Sequence, residues 1–217
     1  DYIEPKMKKF DNLNDRLNYL VENDYYSKEI LDLYDQYVID VIYDFIRAKN
    51  FKFQSYMSAS KFYQNYALKS NDGEEILENY EDKVLIVALT LGNGEPKLAK
   101  DIAEKLINQE FQPATPTFLN AGRARGGKMV SCFLVNVEDS CEGISYAVSS
   151  ANHLSKIGGG VALNLTRLRA SGESIKGIKW AAGGVMGVAK LLEQSFSYFN
   201  QMGARQGAGA VYLNVLH

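Results

Sequence analysis

Cysteine, histidine and tryptophan are scarce, at two, two and one in 217 residues. Cys132 and Cys141, nine residues apart, cannot make the framework of a disulfide-stapled extracellular module, so the expectation is a reduced, cytoplasmic protein. His153 and His217 are the only imidazoles, and no spacing among these four residues matches a zinc site, so no metal is expected. Long apolar runs are absent too. The longest, Val84 to Leu91, is too short to span a bilayer, and no membrane partner is expected. The opening DYIEPKMKKF carries charges with no apolar stretch after them, unlike a secretory leader. Lysine and arginine total 24 against 26 acidic residues, a net charge of -2 that gives no electrostatic case for a nucleic-acid partner.

Glycine is nearly missing from the first half. Only Gly73, Gly92 and Gly94 of the 18 precede residue 120, where aromatic and charged residues dominate instead. This shift predicts a helical domain over 1–110 followed by an α/β portion over 111–217. Leu13, Leu17, Leu20 and Val21 fall at helical spacing, and Ile30 to Phe45 repeat every three or four residues, predicting one helix over 28–47. Further helices are predicted over 58–66 and 76–91, the latter closed by Gly92-Asn93-Gly94. Pro96 suits the first turn of the next helix, whose apolar face is Leu98, Ile102, Ala103, Leu106 and Ile107. QPATPTFLNAG (112–122), with two prolines, reads as an extended loop. Beyond it come a strand over 129–135, a helix capped at Asp139 with Glu142 in capping-box spacing, and a strand over 161–165. A helix over 185–199 and a strand over 210–215 follow. Strand, helix, strand, helix, strand in this order predicts parallel β/α units. The sequence stops with no helix after its last strand, which suggests a fragment.

Several residues in the second half can carry chemistry. Cys132 in an apolar strand reads as a small hydrophobe, or, beside Ser131 at a strand end, as a thiol facing a ligand. Cys141, just past a helix cap, reads as a packed residue or as a thiol activated by the helix dipole. Gly158-Gly159-Gly160 fits neither a P-loop nor a dinucleotide fingerprint, since it leads into a strand. A helix C-cap explains one of these glycines, and close approach of an anion or ribose could explain the others. RLRASGESIKG holds Arg167, Arg169 and Lys176, either a solvated loop or a phosphate clamp. GARQGAGA (203–210) is a flexible connection or a loop that meets a ligand.

Taken in order, ATPTFLNAG, VSCFL, EDS, LSKIGGGVALNL, LRASGESIKG and QMGARQGAGAVYLNVLH closely resemble the large, catalytic subunit of ribonucleotide reductase, most nearly its class Ib form. The resemblance is strong over 105–217 and looser before it. It implies a helical domain followed by the first strands of a ten-stranded α/β barrel, incomplete in this chain. It further implies reduction of ribonucleoside diphosphates to deoxyribonucleotides by thiyl-radical chemistry. Cys132 matches one of the two cysteines that become a disulfide, while the radical cysteine and the other partners lie beyond residue 217. The fragment alone is therefore expected to be inactive.

By the same resemblance, Thr115 (or Thr117), Ser131 and Gly160 match positions that hold the substrate nucleotide. Asp139, Ser140 and Arg169 match a specificity site for ATP or deoxynucleotide effectors, with Lys176 at the next basic position. Gln201 and Arg205 match contacts of the loop joining effector to substrate. The implied partners are a second large subunit in a homodimer, a metal-containing small subunit that supplies the radical, and a thioredoxin- or glutaredoxin-like reductant. No cofactor is expected on this chain itself. A non-catalytic nucleotide-binding regulatory domain is the competing reading.

Overall fold

The structure, a computed structural model, describes residues 6–199 and 207–217. It divides into two compact units, Asp1–Met129 and Val130–His217.

The first unit contains α1 (Leu13–Glu22), α2 (Lys28–Leu31), α3 (Gln36–Ala48), α4 (Tyr56–Asn65), α5 (Tyr80–Gly92), α6 (Pro96–Ile107) and α7 (Thr115–Asn120). Helix α5 is its axis. Val84 through Leu89 are all buried, as befits a helix that is apolar nearly all round. A capping box starts it: Asn79 Oδ1 accepts from the Asp82 N–H at 2.9 Å, and Asp82 Oδ2 accepts from the Asn79 N–H at 2.8 Å. Asn93, with φ 46°, ends it in the left-handed region, as expected from Gly92-Asn93-Gly94. Pro96 opens α6, also as expected.

Several sequence expectations for this unit need correction. The helix predicted over 28–47 is broken between α2 and α3, because Tyr34 serves elsewhere. Its hydroxyl donates to Leu89 O at 2.8 Å and accepts from the Gly94 N–H at 2.9 Å, pinning the end of α5. The helix predicted from Ile76 starts at Tyr80, since Ile76 and Leu77 are extended, with Leu77 N–H bonded to Leu68 O. Leu98 is 41% exposed, and Ala99 packs in its place where Gly92 leaves room. The predicted loop 112–122 contains α7. Pro116 sits in its first turn, where a missing N–H costs nothing, and Phe118 and Ala121 are buried with α5 and α6. At Gly122 (φ 70°) an added methyl group would overlap Ile86. These contacts explain why the compact unit extends to Met129 and not to residue 110.

A buried ionic cluster fastens this unit. Glu78, fully buried, accepts from Tyr26 Oη at 2.6 Å, the Leu68 N–H at 2.8 Å, and Lys83 and Arg123, both at 3.0 Å. Burial pushes the Glu78 carboxyl up, but Lys83, Arg123 and Tyr26 outweigh it and hold the group down at about 2.

The second unit runs β1 (Cys132–Asn136), α8 (Cys141–Lys156), β2 (Gly160–Asn164), α9 (Val185–Tyr198) and β3 (Gly209–Tyr212). The strands form a parallel sheet in the order β1-β2-β3, which the alternating pattern predicts. Val161, Leu163, Leu192, Phe196, Ala147 and Ala151 form the core between one face of the sheet and the helices. The opposite face carries Cys132, Leu134 and Asn136 in register with Gly160, Ala162 and Asn164, and it lacks a covering layer among the described residues; Leu134 is 83% exposed. No helix among the described residues is long and apolar enough to cross a membrane.

Candidate functional site

The N-terminus of α8 builds one site. The capping residue is Ser140, one position later than predicted: its Oγ accepts from the Gly143 N–H at 2.9 Å. Asp139 is thereby free of the cap and accepts from Arg169 Nε at 2.7 Å, while Arg169 Nη1 donates to Ser174 O at 3.3 Å. The Arg169 guanidinium is thus fixed in direction before any ligand arrives. Lys176 takes a left-handed backbone (φ 53°) in the tight turn closed by the Ile175–Ile178 bridge. Asp139, Ser140, Arg169 and Lys176 all line one cavity of about 630 Å³.

That volume lies within the range of small-molecule and cofactor sites. Its chemistry is mixed. Two cations and the first turn of a sixteen-residue helix favour an anion, while Asp139 and Glu142 can accept from hydroxyls or amino groups. Leu168, Ile144 and Val188 supply apolar wall. The cavity also takes in Ser145, Ala182, Gly183 and Gly184, which sequence reasoning missed. Gly184 has φ 73° and caps α9, and two adjacent glycines before an apolar helix were its sequence trace. Arg167 does not belong: it pairs with Glu138 on an exposed surface.

The second site lies at the start of the sheet. Cys132 and Gly160 are register partners at the first positions of β1 and β2. Cys132 is exposed, on the uncovered face, and its thiol lies 3.7 Å from Ser131 Oγ. Among the described residues Cys132 is not packed into a core. The three glycines separate by cause. Gly158 has φ 90°; a methyl group on Gly159 would overlap the Phe133 ring; on Gly160 it would meet only Ser131 O at 3.7 Å. Nothing among the described residues requires glycine at 160. Its N–H does not point to a ligand, because it donates to Ser131 O at 2.8 Å. What Gly160 offers is an absent side chain beside a thiol.

Thr115 and Thr117 belong to the first unit, at α7. Thr117 Oγ1 donates to Met129 O at 3.1 Å, so that hydroxyl is committed to the backbone. Thr115, half-buried at the first position of the helix, makes no side-chain hydrogen bond among the described residues. Gln201 and Arg205 lie outside the described residues. Among the described residues, no cluster of three or more histidine, cysteine or carboxylate side chains is placed to hold a metal ion.

Comparison with known proteins accounts for the chain in three consecutive pieces. Residues 1–51 match the ribonucleotide reductase N-terminal family model, 52–126 the ribonucleotide reductase all-alpha domain, and 130–217 the ribonucleotide reductase barrel domain. The ribonucleoside-diphosphate reductase subunit alpha of Bacillus subtilis is 54% identical over all 217 residues, and that of Mycoplasma pneumoniae 47%. The Treponema pallidum subunit alpha is 30% identical over 207 residues, or 94% of this chain. The chain spans 31%, 30% and 24% of the length of these three relatives. With family matches running from residue 1 to residue 217 in domain order, the chain belongs to the ribonucleotide reductase large-subunit family.

Proposed function

We propose that this chain supplies the effector site and one of the two reducing thiols of a cytoplasmic ribonucleoside-diphosphate reductase α subunit of the class Ib kind. The observation that carries the reading is the cavity at the start of α8, which gathers Asp139, Ser140, Arg169 and Lys176. In this reading Arg169 and Lys176 hold the effector's phosphates, and Asp139 and Ser140 meet its sugar and base. The unit Asp1–Met129 acts mainly as helical support, and Val130–His217 carries the effector motifs and the thiol.

At the other site, Cys132 faces the substrate ribose, Gly160 lets the nucleotide come close, and Ser131 donates to it; the resemblance alone adds a threonine of α7 as a further substrate contact. Thr115 is preferred to Thr117, whose hydroxyl is already bonded. Two thiols, Cys132 and a partner, give two electrons and two protons. The C2′–O bond breaks, the 2′-hydroxyl leaves as water, C2′ gains a hydrogen and an S–S bond forms. A thioredoxin- or glutaredoxin-like reductant reopens that disulfide. The initiating radical comes from a metal-containing small subunit, and two α subunits form a homodimer. Gln201 and Arg205 carry the effector's influence to the substrate, as linkage between two sites requires.

The test is a reduction assay on the complete subunit with its small subunit and a dithiol, with and without deoxynucleoside triphosphates. Deoxynucleoside diphosphate formation with an effector-dependent choice of substrate is expected. Effector binding with no reduction would contradict the proposal and favour a regulatory domain.

A further inference from the structure

The connection between β2 and α9 contains a small hairpin that forms part of the wall of the α8 cavity. The Ile175 N–H donates to Ile178 O at 3.1 Å, and the Ile178 N–H donates to Ile175 O at 2.9 Å. Between them Lys176 and Gly177 both take left-handed backbone, φ 53° and 83°, the pattern of a tight two-residue hairpin turn. The arms rejoin at the base, where the Gly172 N–H donates to Ala182 O at 2.9 Å and the Ala182 N–H to Glu173 O at 3.1 Å. These arms are unequal. Only Ser174 separates Glu173 from Ile175, whereas residues 179–181 separate Ile178 from Ala182. The surplus forms a bulge, and a bulge bends and twists the strand that carries it.

Trp180 sits in the middle of that bulge with φ 61°. This backbone is strained for so bulky a side chain; glycine or asparagine takes it more easily. Burial does not offset the strain, because Trp180 is 83% exposed. What the ring meets is the opposite arm. A methyl group built on Gly172 would lie 2.8 Å from Trp180 Cε3 and 3.0 Å from Cζ3, so the indole occupies the place of the missing side chain. A strained and exposed residue adds little to folding, and its conformation points to another role.

The position of the hairpin supplies that role. Its first arm is fastened to the cavity, since Ser174 O accepts from Arg169 Nη1 at 3.3 Å. On its second arm the indole against Gly172 is the corresponding fastening. Lys176, at the tip, lines the cavity, and no side-chain hydrogen bond or ion pair among the described residues holds its ammonium. The shape of the hairpin therefore places that charge.

We infer that Trp180 is a positioning residue for the effector: its ring, laid on Gly172, sets the bulge that presents Lys176 to the cavity. Holding the turn in one shape before a ligand arrives removes an ordering cost from binding. The inference rests on the effector reading above, and every residue it uses belongs to the second unit.

The test measures dTTP affinity by calorimetry, and melting temperature, in the complete subunit. Trp180→Asn, Trp180→Phe, Lys176→Ala and the pair Trp180→Asn with Lys176→Ala are compared with wild type. Asparagine accepts left-handed backbone without a ring, and phenylalanine keeps a ring. Trp180→Asn should weaken dTTP binding about fivefold or more, and should add nothing to the loss in Lys176→Ala. Trp180→Phe should bind within about twofold of wild type, with all melting temperatures near wild type. Wild-type affinity in Trp180→Asn, an equal loss in Trp180→Phe, or a full further loss on top of Lys176→Ala would each overturn the inference. Wild type that fails to bind dTTP, or Lys176→Ala that binds it as wild type does, would instead overturn the reading beneath it.

Discussion

Arg169 Nε donates to Asp139 Oδ2 at 2.7 Å across the wall of the α8 cavity. The pair joins the residue before a helix cap to a loop 30 positions later, and it aims a guanidinium before any ligand is bound. Arg169→Ala should remove a charge-assisted phosphate contact worth about 1.5–3 kcal/mol, weakening effector binding roughly 10- to 150-fold. Titration of the complete subunit with dTTP by calorimetry checks this. Unchanged affinity would take Arg169 out of the effector site.

Neighbouring glycines should respond in opposite ways. Gly159→Ala drives a methyl group into the Phe133 ring and should destabilise the second unit by about 1–3 kcal/mol. Gly160→Ala meets only Ser131 O at 3.7 Å and should leave folding almost unchanged. It should instead raise KM for the ribonucleoside diphosphate in the complete subunit. Melting curves together with steady-state kinetics separate the two, and an unchanged KM in Gly160→Ala would argue against close approach of substrate there.

The Glu78 cluster predicts how the helical unit responds to acid. The Glu78 carboxyl is lowered in the folded state from the ordinary 4.5 to about 2. Its contribution, about 3 kcal/mol, is therefore fully present above about pH 4.5 and is lost as pH falls from there through about 2. Glu78→Ala leaves Lys83 buried and Arg123 partly buried without their carboxylate and should cost about 3–5 kcal/mol at pH 7. Urea unfolding of this chain and of Glu78→Ala between pH 2 and pH 7 checks both. A flat acid limb in wild type would contradict the assignment.

Much of this was legible in the sequence because local chemistry and tertiary structure agree. The Asn93 stop, Pro96 start and three parallel strands follow from backbone preferences and from apolar periodicity. Failures came where a tertiary partner decided. Tyr34 looked like one more apolar position of a long helix, yet its hydroxyl is bonded to Leu89 O. Glu78 looked like an ordinary charge within a helix, yet it is buried against Tyr26, Lys83 and Arg123, residues far apart in sequence. The α7 segment looked like a loop because two prolines suggest one, though Pro116 sits where a first turn tolerates it. For the sites, motif order singled out four residues that line one cavity, but composition could not say that the Gly160 N–H is already bonded to Ser131 O.

Cys132, exposed at the edge of the sheet beside Gly160, is proposed as a reducing thiol. The most direct measurement is deoxynucleoside diphosphate formation by the complete subunit carrying Cys132→Ser, with its small subunit and a dithiol, alongside dTTP binding. Product should fall to background while dTTP binds with wild-type affinity; turnover at the wild-type rate would remove Cys132 from the reducing pair.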